Sequence, residues 1–109
     1  MTLDEYELAA TRTLNAALDE RERLMDAAAG LAEEAGEVLG QVRKHLYQQR
    51  PLDRERLTTE LGDALWCLTI AAQSIGVSLS DVARANIEKL RRRYPDGFSN
   101  EASAQRGGG

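Results

Sequence analysis

Two segments of this sequence each carry a pair of carboxylates three residues apart inside an apolar run. The first pair, Glu34 and Glu37, lies within Leu31-Ala-Glu-Glu-Ala-Gly-Glu-Val38. The second pair consists of the first and last residues of Glu60-Leu-Gly-Asp63. Side chains with this spacing on an α-helix project side by side from about one turn of backbone. Each segment is therefore predicted to present its two carboxylates as ligands for a metal ion.

The positions of the two pairs relative to their apolar stripes predict that all the carboxylates meet. With residues about 100° apart around each helix, both pairs lie roughly 60° and 120° to the same side of the stripe, whereas Glu33 points away. If the two helices pack antiparallel through their stripes, equal offsets fall on one side of the interface. The stripes are Leu24, Ala28, Leu31, Ala35, Val38 and Val42 on the first helix, and Leu57, Leu61, Ala64, Leu68 and Ile75 on the second.

Convergent carboxylates raise one another's pKa values or push their helices apart unless a cation neutralises them. A set of oxygen ligands favours a hard ion such as Mg²⁺, which keeps several waters and is often shared between carboxylates and a substrate phosphate. A di-iron bundle would require Glu-x-x-His pairs on two of its helices. The single histidine, His45, has no Glu three residues before it, so iron is disfavoured.

Helices are predicted to position all of these residues. Pro51 ends the second helix, Gly76 ends the third, and the boundary between the first two helices near Asp19 stays open. After Phe98 the sequence has no periodicity and is predicted to be disordered. The prediction is an all-α four-helix bundle in residues 1–98 with a flexible tail in residues 99–109. Its helices run from Asp4 to about Leu18, from about Glu20 to Tyr47, from about Arg54 to Ser74, and from Ser78 or Ser80 to Arg93.

The composition excludes several classes of function. The net charge is −4 and the pI is about 5.0, which argues against a general nucleic-acid binder because such domains carry a basic surface. No apolar run reaches membrane-spanning length, and no signal peptide precedes the first helix. The single cysteine, Cys67, fits a reducing compartment, so a cytoplasmic location is expected. A chain of 109 residues builds only a modest core, which favours a homo-oligomer.

The predicted fourth helix offers groups that could bind phosphate. Asn86, Lys89 and Arg93 are spaced by three and four residues, so an amide and two cations follow one edge of the helix. Cations also stabilise a helix C-terminus without any ligand, and this alternative is strongest for Arg93. On the third helix, Trp66 lies opposite the apolar stripe. A contact in the core or between subunits is the favoured interpretation for Trp66, and a base pocket is the alternative.

Three blocks of the sequence together resemble a known family. They run from Gly30 to Val38, from Glu60 to Trp66 and from Asn86 to Phe98, in this order and with ordinary spacing within residues 20–98. They are similar to the Glu-Glu-x-x-Glu, Glu-x-x-Asp and Asn-x-x-Lys blocks of the MazG-type, all-α nucleoside triphosphate pyrophosphohydrolases. The resemblance implies a Mg²⁺-dependent enzyme that hydrolyses a nucleotide between its α- and β-phosphates and releases a monophosphate and pyrophosphate. It also implies a homodimer or a homotetramer built as a dimer of dimers, with active sites completed across the subunit interface.

The resemblance also implies roles for individual residues. The expected ligands of Mg²⁺, or of Mn²⁺ as a substitute, are Glu34, Glu37, Glu60 and Asp63. The expected phosphate-binding residues are Asn86 and Lys89, with Arg93 as a weaker candidate. Base recognition is expected from side chains of the first two helices, with Trp66 as a further candidate. Glu33 is a candidate for orienting or deprotonating the attacking water, although its outward direction counts against that role.

Two other hypotheses stay open beside a role in nucleotide-pool house-cleaning. The protein could be a non-catalytic helical module that oligomerises and binds structural cations. Alternatively, the enzyme could act on a metabolite of the phosphoribosyl-ATP type, which a related fold hydrolyses. The sequence does not identify the preferred base.

Overall fold

The computed structural model describes residues 1–98, which form α-helices and no strand. The helices are α1 (Leu3–Thr11), α2 (Glu20–Tyr47), α3 (Arg54–Ser74) and α4 (Leu79–Arg93). This confirms the all-α prediction and the predicted bounds of α2 and α3. The predicted tail, residues 99–109, lies outside the described residues.

Each helix begins at a residue whose side chain caps it. Thr2, Asp19, Asp53 and Ser78 each accept a hydrogen bond from a backbone N–H in the first turn of the helix that follows. Three of these caps are reciprocal, because the third helical residue, Glu5, Glu22 or Asp81, bonds back to the backbone of the cap. Asp19 is therefore the N-cap of α2, and Ser78 rather than Ser80 is the N-cap of α4.

The first helix is shorter than predicted, because it ends at Thr11 instead of continuing to about Leu18. The hydroxyls of Thr11 and Thr13 donate to the carbonyls of Leu8 and Ala10, and Asn15 Oδ1 accepts from the amide of Ala17. Such local side-chain bonds compete with helix formation. The apolar periodicity continues past Thr11, but the backbone there forms turns.

The largest interface in the structure is formed by α2 and α3, which are joined as an antiparallel hairpin. In the connection His45 Nδ1 donates to the carbonyl of Arg50 over 2.8 Å, so the histidine makes a loop contact. Gly76 has φ +78° just after α3, as expected for a glycine that ends a helix.

The faces that meet in this hairpin differ from the predicted stripes. Ala27 is buried to 1% exposure on α2, whereas Leu61 is 52% and Ile75 is 63% exposed on α3. Cys67 and Ile70 are buried on α3 instead. The expectation that Leu61 and Ile75 pack within the hairpin was therefore wrong. Periodicity alone does not show which apolar face is used inside one chain.

The fourth helix leaves the hairpin instead of closing a compact bundle. It is bent by 97° relative to α3 and packs on α1 and α3 near its beginning, where Leu79 is buried. Ile87 and Leu90 further along α4 remain 45% and 39% exposed. The radius of gyration is 16.8 Å, compared with about 13 Å for a compact chain of this length. Among the described helices none has, by itself, the length and apolar composition of a membrane-spanning segment.

Candidate functional site

Glu34 and Glu60 lie within the α2–α3 hairpin, where Glu60 is buried and Glu34 is half-buried. Glu60 is 5% exposed, and its Oε1 lies 3.4 Å from Arg56 Nε. Its other oxygen, Oε2, is buried without a hydrogen-bond partner, and Glu34 Oε2 is in the same state. A buried carboxylate oxygen without a partner is costly. The hairpin therefore holds two acceptor atoms that its own side chains do not satisfy.

The carboxylates of α2 and α3 also act on one another. Burial raises the pKa of Glu34, and the nearby charges of Glu37, Asp63 and Glu60 raise it further. The structure thus places Glu37, Asp63 and Glu60 near enough for their charges to act on Glu34, and the convergence of all four acids on one ion stays a prediction.

The chemistry of this set fits a hard divalent cation. All the donors are carboxylate oxygens, and two of them, on Glu34 and Glu60, are buried and unsatisfied. Within residues 1–98 no three His, Cys, Asp or Glu side chains are yet gathered as they would be around an ion. Glu37 and Asp63 are exposed, so their side chains can rotate toward the buried pair. Their role as ligands stays a prediction.

A glycine of α2 and a cysteine of α3 lie close together beside the acids. Gly30 lies one turn before Glu34, and a Cβ atom added to it would lie 2.8 Å from Cys67 Sγ. Cys67 itself lies one turn after Asp63 and is buried. Burial raises the pKa of its thiol, and Glu34 and Asp63 raise it further, so the thiol stays neutral beside the acids. Sequence reasoning used Cys67 only as an indicator of the compartment and missed this contact, although its one-turn spacing from Asp63 was a signal.

Glu33 is exposed, and its predicted outward direction stays a prediction. On α4, Asn86 is exposed and Lys89 is half-buried, while Arg93 Nε is buried without a partner. The ion pairs in the described part of the chain are Arg56 with Glu60 and Arg84 with Asp81. Lys89 and Arg93 are therefore not joined to the acids within this one chain.

Trp66 has a structural contact inside the chain. Its Nε1 donates to Thr13 Oγ1 over 2.8 Å and lies 3.4 Å from the carbonyl of Ala10. These bonds fasten the end of α1 to α3. The indole therefore contributes to intramolecular packing, which was the favoured interpretation.

Comparison with known proteins identifies the family. The family model described as the MazG nucleotide pyrophosphohydrolase domain matches residues 23–98. The chain is similar to the gene 37 protein of Mycobacterium phage L5, with 33% identity over 105 residues that cover 89% of this chain and 92% of that protein. It is also similar to the protein YvdC of Bacillus subtilis (strain 168), with 38% identity over 73 residues that cover 59% of this chain and 69% of that protein. No solved structure matches.

The matched region contains α3 and α4 entirely and α2 from Arg23 onward, so it includes both acid pairs and the Asn86 and Lys89 positions. It excludes α1. Since the match covers well over half of the chain, the chain belongs to the family of MazG nucleotide pyrophosphohydrolase domains.

Proposed function

We propose that this protein is a Mg²⁺-dependent nucleoside triphosphate pyrophosphohydrolase. It cleaves a ribo- or deoxyribonucleoside triphosphate between the α- and β-phosphates, giving the monophosphate and pyrophosphate. The observation that carries the proposal is the pair of buried, unsatisfied carboxylate oxygens on Glu34 and Glu60, beside Glu37 and Asp63. The family match supports the reaction class. A role in clearing unwanted nucleotides from the cytoplasmic pool follows as part of the proposal.

The four acids are the proposed metal ligands. Glu34, Glu37, Glu60 and Asp63 would hold Mg²⁺. Bound there, Mg²⁺ supplies charge neutralisation for the triphosphate and lowers the pKa of a coordinated water. The half-buried hairpin around the acids lowers the local dielectric constant, which strengthens each of these interactions.

The groups of α4 and the outer face of α2 complete the proposed chemistry. Asn86 and Lys89 bind phosphate oxygens, with Arg93 as a further cation at the end of the same helix edge. Glu33 is next to the proposed ligand Glu34 in the sequence and is a candidate to orient the attacking water, although its helical position counts against that role. These roles carry over from the matching motif positions and are part of the proposal.

We also propose a homodimer or a homotetramer. α2 and α3 expose large apolar side chains, and α4 has an apolar face with no partner along most of its length. Surfaces of this kind mark contacts with another chain. Since Lys89 and the acids are not joined within one chain, a second copy that brings its own α4 to the acids would complete the site. The exposed apolar residues are Leu24, Met25, Leu39, Leu46, Tyr47, Leu61, Leu65, Ile75, Ile87 and Leu90.

Replacing Leu61 with Lys tests the oligomer. In one chain Leu61 is 52% exposed, so the change should alter the stability of an isolated subunit by only about 0.5 kcal/mol. A lysine placed in an apolar interface should instead dissociate the oligomer and remove activity. Sedimentation velocity of the variant and of Leu61→Ala, which keeps a small apolar group, separates the two cases. An unchanged sedimentation coefficient for Leu61→Lys would place the interface elsewhere.

Replacing Trp66 with Phe tests base recognition. Loss of the bond to Thr13 should cost about 1 kcal/mol of folding free energy, and Thr13→Val should cost a similar amount because it removes the same bond from the other side. Chemical denaturation measures both losses. If Trp66 is only structural, KM for nucleotides stays the same in both variants. A rise in KM confined to Trp66→Phe would support the base-pocket alternative.

The direct test is pyrophosphate release from a panel of canonical and oxidised nucleoside triphosphates and their deoxy forms. It is run with Mg²⁺, with Mn²⁺ and with EDTA, and phosphoribosyl-ATP is assayed in parallel. Metal-dependent release with a nucleotide preference would support the proposal. Release only from phosphoribosyl-ATP would change the substrate. No release from any compound, by a folded oligomer that binds metal, would favour the non-catalytic module.

A further inference from the structure

A carboxylate of α1 joins the end of α3 to the beginning of α4. Glu7 Oε1 accepts from the backbone N–H of Leu79 over 2.6 Å, and Glu7 Oε2 lies 3.5 Å from Gln73 Nε2. Nearby, Ser80 Oγ donates to Asp4 Oδ1 over 2.6 Å. The two oxygens of Glu7 therefore contact both sides of the bend between α3 and α4.

This contact lies where the direction of α4 is determined. The cap of α4, Ser78, bonds the amide of Asp81, which leaves the amide of Leu79 for Glu7. A negative side chain there also interacts favourably with the N-terminus of the helix. Beyond Leu79 the apolar residues Ile87 and Leu90 are exposed. Within one chain, the first turn of α4 thus carries most of the restraint on its angle.

A small change of angle at Leu79 is amplified along α4. Lys89 lies ten residues further on, which corresponds to about 15 Å of helix, and Asn86 lies at about 10 Å. A tilt of about 10° at Leu79 would then move Lys89 by about 3 Å, given that rise per residue. A misplacement of about 1 Å can reduce a catalytic rate by about 100-fold. The contact made by Glu7 is therefore well placed to control groups that it does not touch.

We propose that Glu7 is a positioning residue, which sets the angle of α4 on α3 and so places Asn86 and Lys89 against the substrate phosphates. The inference rests on the proposed function, because it assigns those two residues to phosphate binding. It adds a role for α1, which lies outside the region matched by the family model. Glu7 itself touches neither substrate nor metal.

The test compares Glu7→Ala and Glu7→Gln by steady-state kinetics. Glutamine keeps a carbonyl oxygen that accepts from Leu79 N–H, so Glu7→Gln should retain most of kcat/KM, whereas Glu7→Ala should lose about 10-fold or more. Asp19→Ala is the matched control, because it removes a helix cap and destabilises the fold at a point remote from α4. It should keep kcat/KM within about twofold when corrected for folded fraction. If Glu7→Ala does not fold, Glu7→Asp keeps the charge but shortens the reach and should show the same loss.

A double-mutant cycle with Lys89→Ala separates positioning from general destabilisation. If Glu7 acts through Lys89, Glu7→Ala should lower kcat/KM much less in the Lys89→Ala variant than it does in the unmodified protein. Equal losses in both backgrounds, or a loss matched by Asp19→Ala, would overturn the role of Glu7 and leave the proposed function standing. Absence of turnover in the unmodified protein would overturn both.

Discussion

Replacing Glu34 with Gln is expected to abolish metal-dependent nucleotide hydrolysis while leaving the metal-free protein at least as stable as the unmodified one. The amide keeps the shape of the side chain and can donate to Glu37, but it removes one of the charges that crowd the hairpin. Loss of a cation ligand at the reacting phosphates removes several kcal/mol of transition-state stabilisation, or about 1,000-fold in rate. Glu60→Gln should lose activity in the same way, since its Oε2 is the other unsatisfied buried oxygen.

The pH dependence of stability gives an independent measurement. The pKa of Glu34 is raised above its ordinary value of 4.5, first by burial and then by the neighbouring acids. The folded state therefore favours the protonated carboxyl. The stability this contributes is fully present below pH 4.5 and is lost as the pH rises through the raised pKa. In EDTA, the melting temperature of the unmodified protein should fall over this pH range relative to that of Glu34→Gln. Mg²⁺ should raise the melting temperature of the unmodified protein and have little effect on the variant.

Glu55→Gln is the control for these changes, because Glu55 is exposed on α3 and makes no side-chain bond in the described structure. It should keep activity, stability and the response to Mg²⁺. If Glu34→Gln were fully active, or if metal-free Glu34→Gln and Glu60→Gln were both strongly destabilised, the acids would be structural and the proposed metal site would be wrong.

Replacing Gly30 with Ala is expected to destabilise the protein by about 1–3 kcal/mol, because the new methyl group meets Cys67 Sγ at 2.8 Å. Either the thiol rotates or α2 and α3 move apart next to Glu34. Measured by thermal unfolding, each kcal/mol corresponds to about 4–8 °C in a domain of this size. A separation of the helices should also weaken Mg²⁺ binding, because Glu34 lies on α2 and Glu60 on α3.

The chain supplies a matched control and a rescue for this prediction. A Cβ atom at Gly40, also on α2, meets nothing within 4 Å, so Gly40→Ala should stabilise the helix by up to about 1 kcal/mol. Adding Cys67→Ala to Gly30→Ala removes the obstructing sulfur and should restore part of the stability, giving a coupling energy of about 0.5–3 kcal/mol. If Gly30→Ala behaved like Gly40→Ala, the close contact would not limit the packing of the hairpin.

Local signals allowed much of the fold to be predicted. The bounds of α2 and α3 follow from Asp19, Pro51, Asp53 and Gly76, whose backbone preferences act within a few residues. The bound that was missed, the end of α1, depended on hydroxyl bonds of Thr11 and Thr13, which hydrophobic periodicity does not report. The acids were predicted to meet because both pairs have the same offset from apolar residues on their helices.

The sequence did not show which face of α3 packs on α2. On α3 Cys67 lies about 100° around the helix from Leu68, and the sequence does not show which of these two directions faces α2. In the structure the face with Cys67 lies close to Gly30, and these two residues are far apart in the chain. The link from Glu7 to Leu79 is similarly remote, since it joins residues 72 positions apart. Long-range contacts of this kind produce no periodic pattern in the sequence, so they could not be predicted from it.

The dominance of the α2–α3 hairpin has a consequence for how the protein folds. Its helices are consecutive and joined by a short connection, so their pairing needs only a short loop to close and has a low entropic barrier. The bonds that attach α1 to α3 and α4 span 53 to 76 residues and close a much larger loop. The hairpin can therefore form before either end of the chain docks. All the proposed ligands lie on it, so a cation that neutralises them could assist folding from its earliest stage.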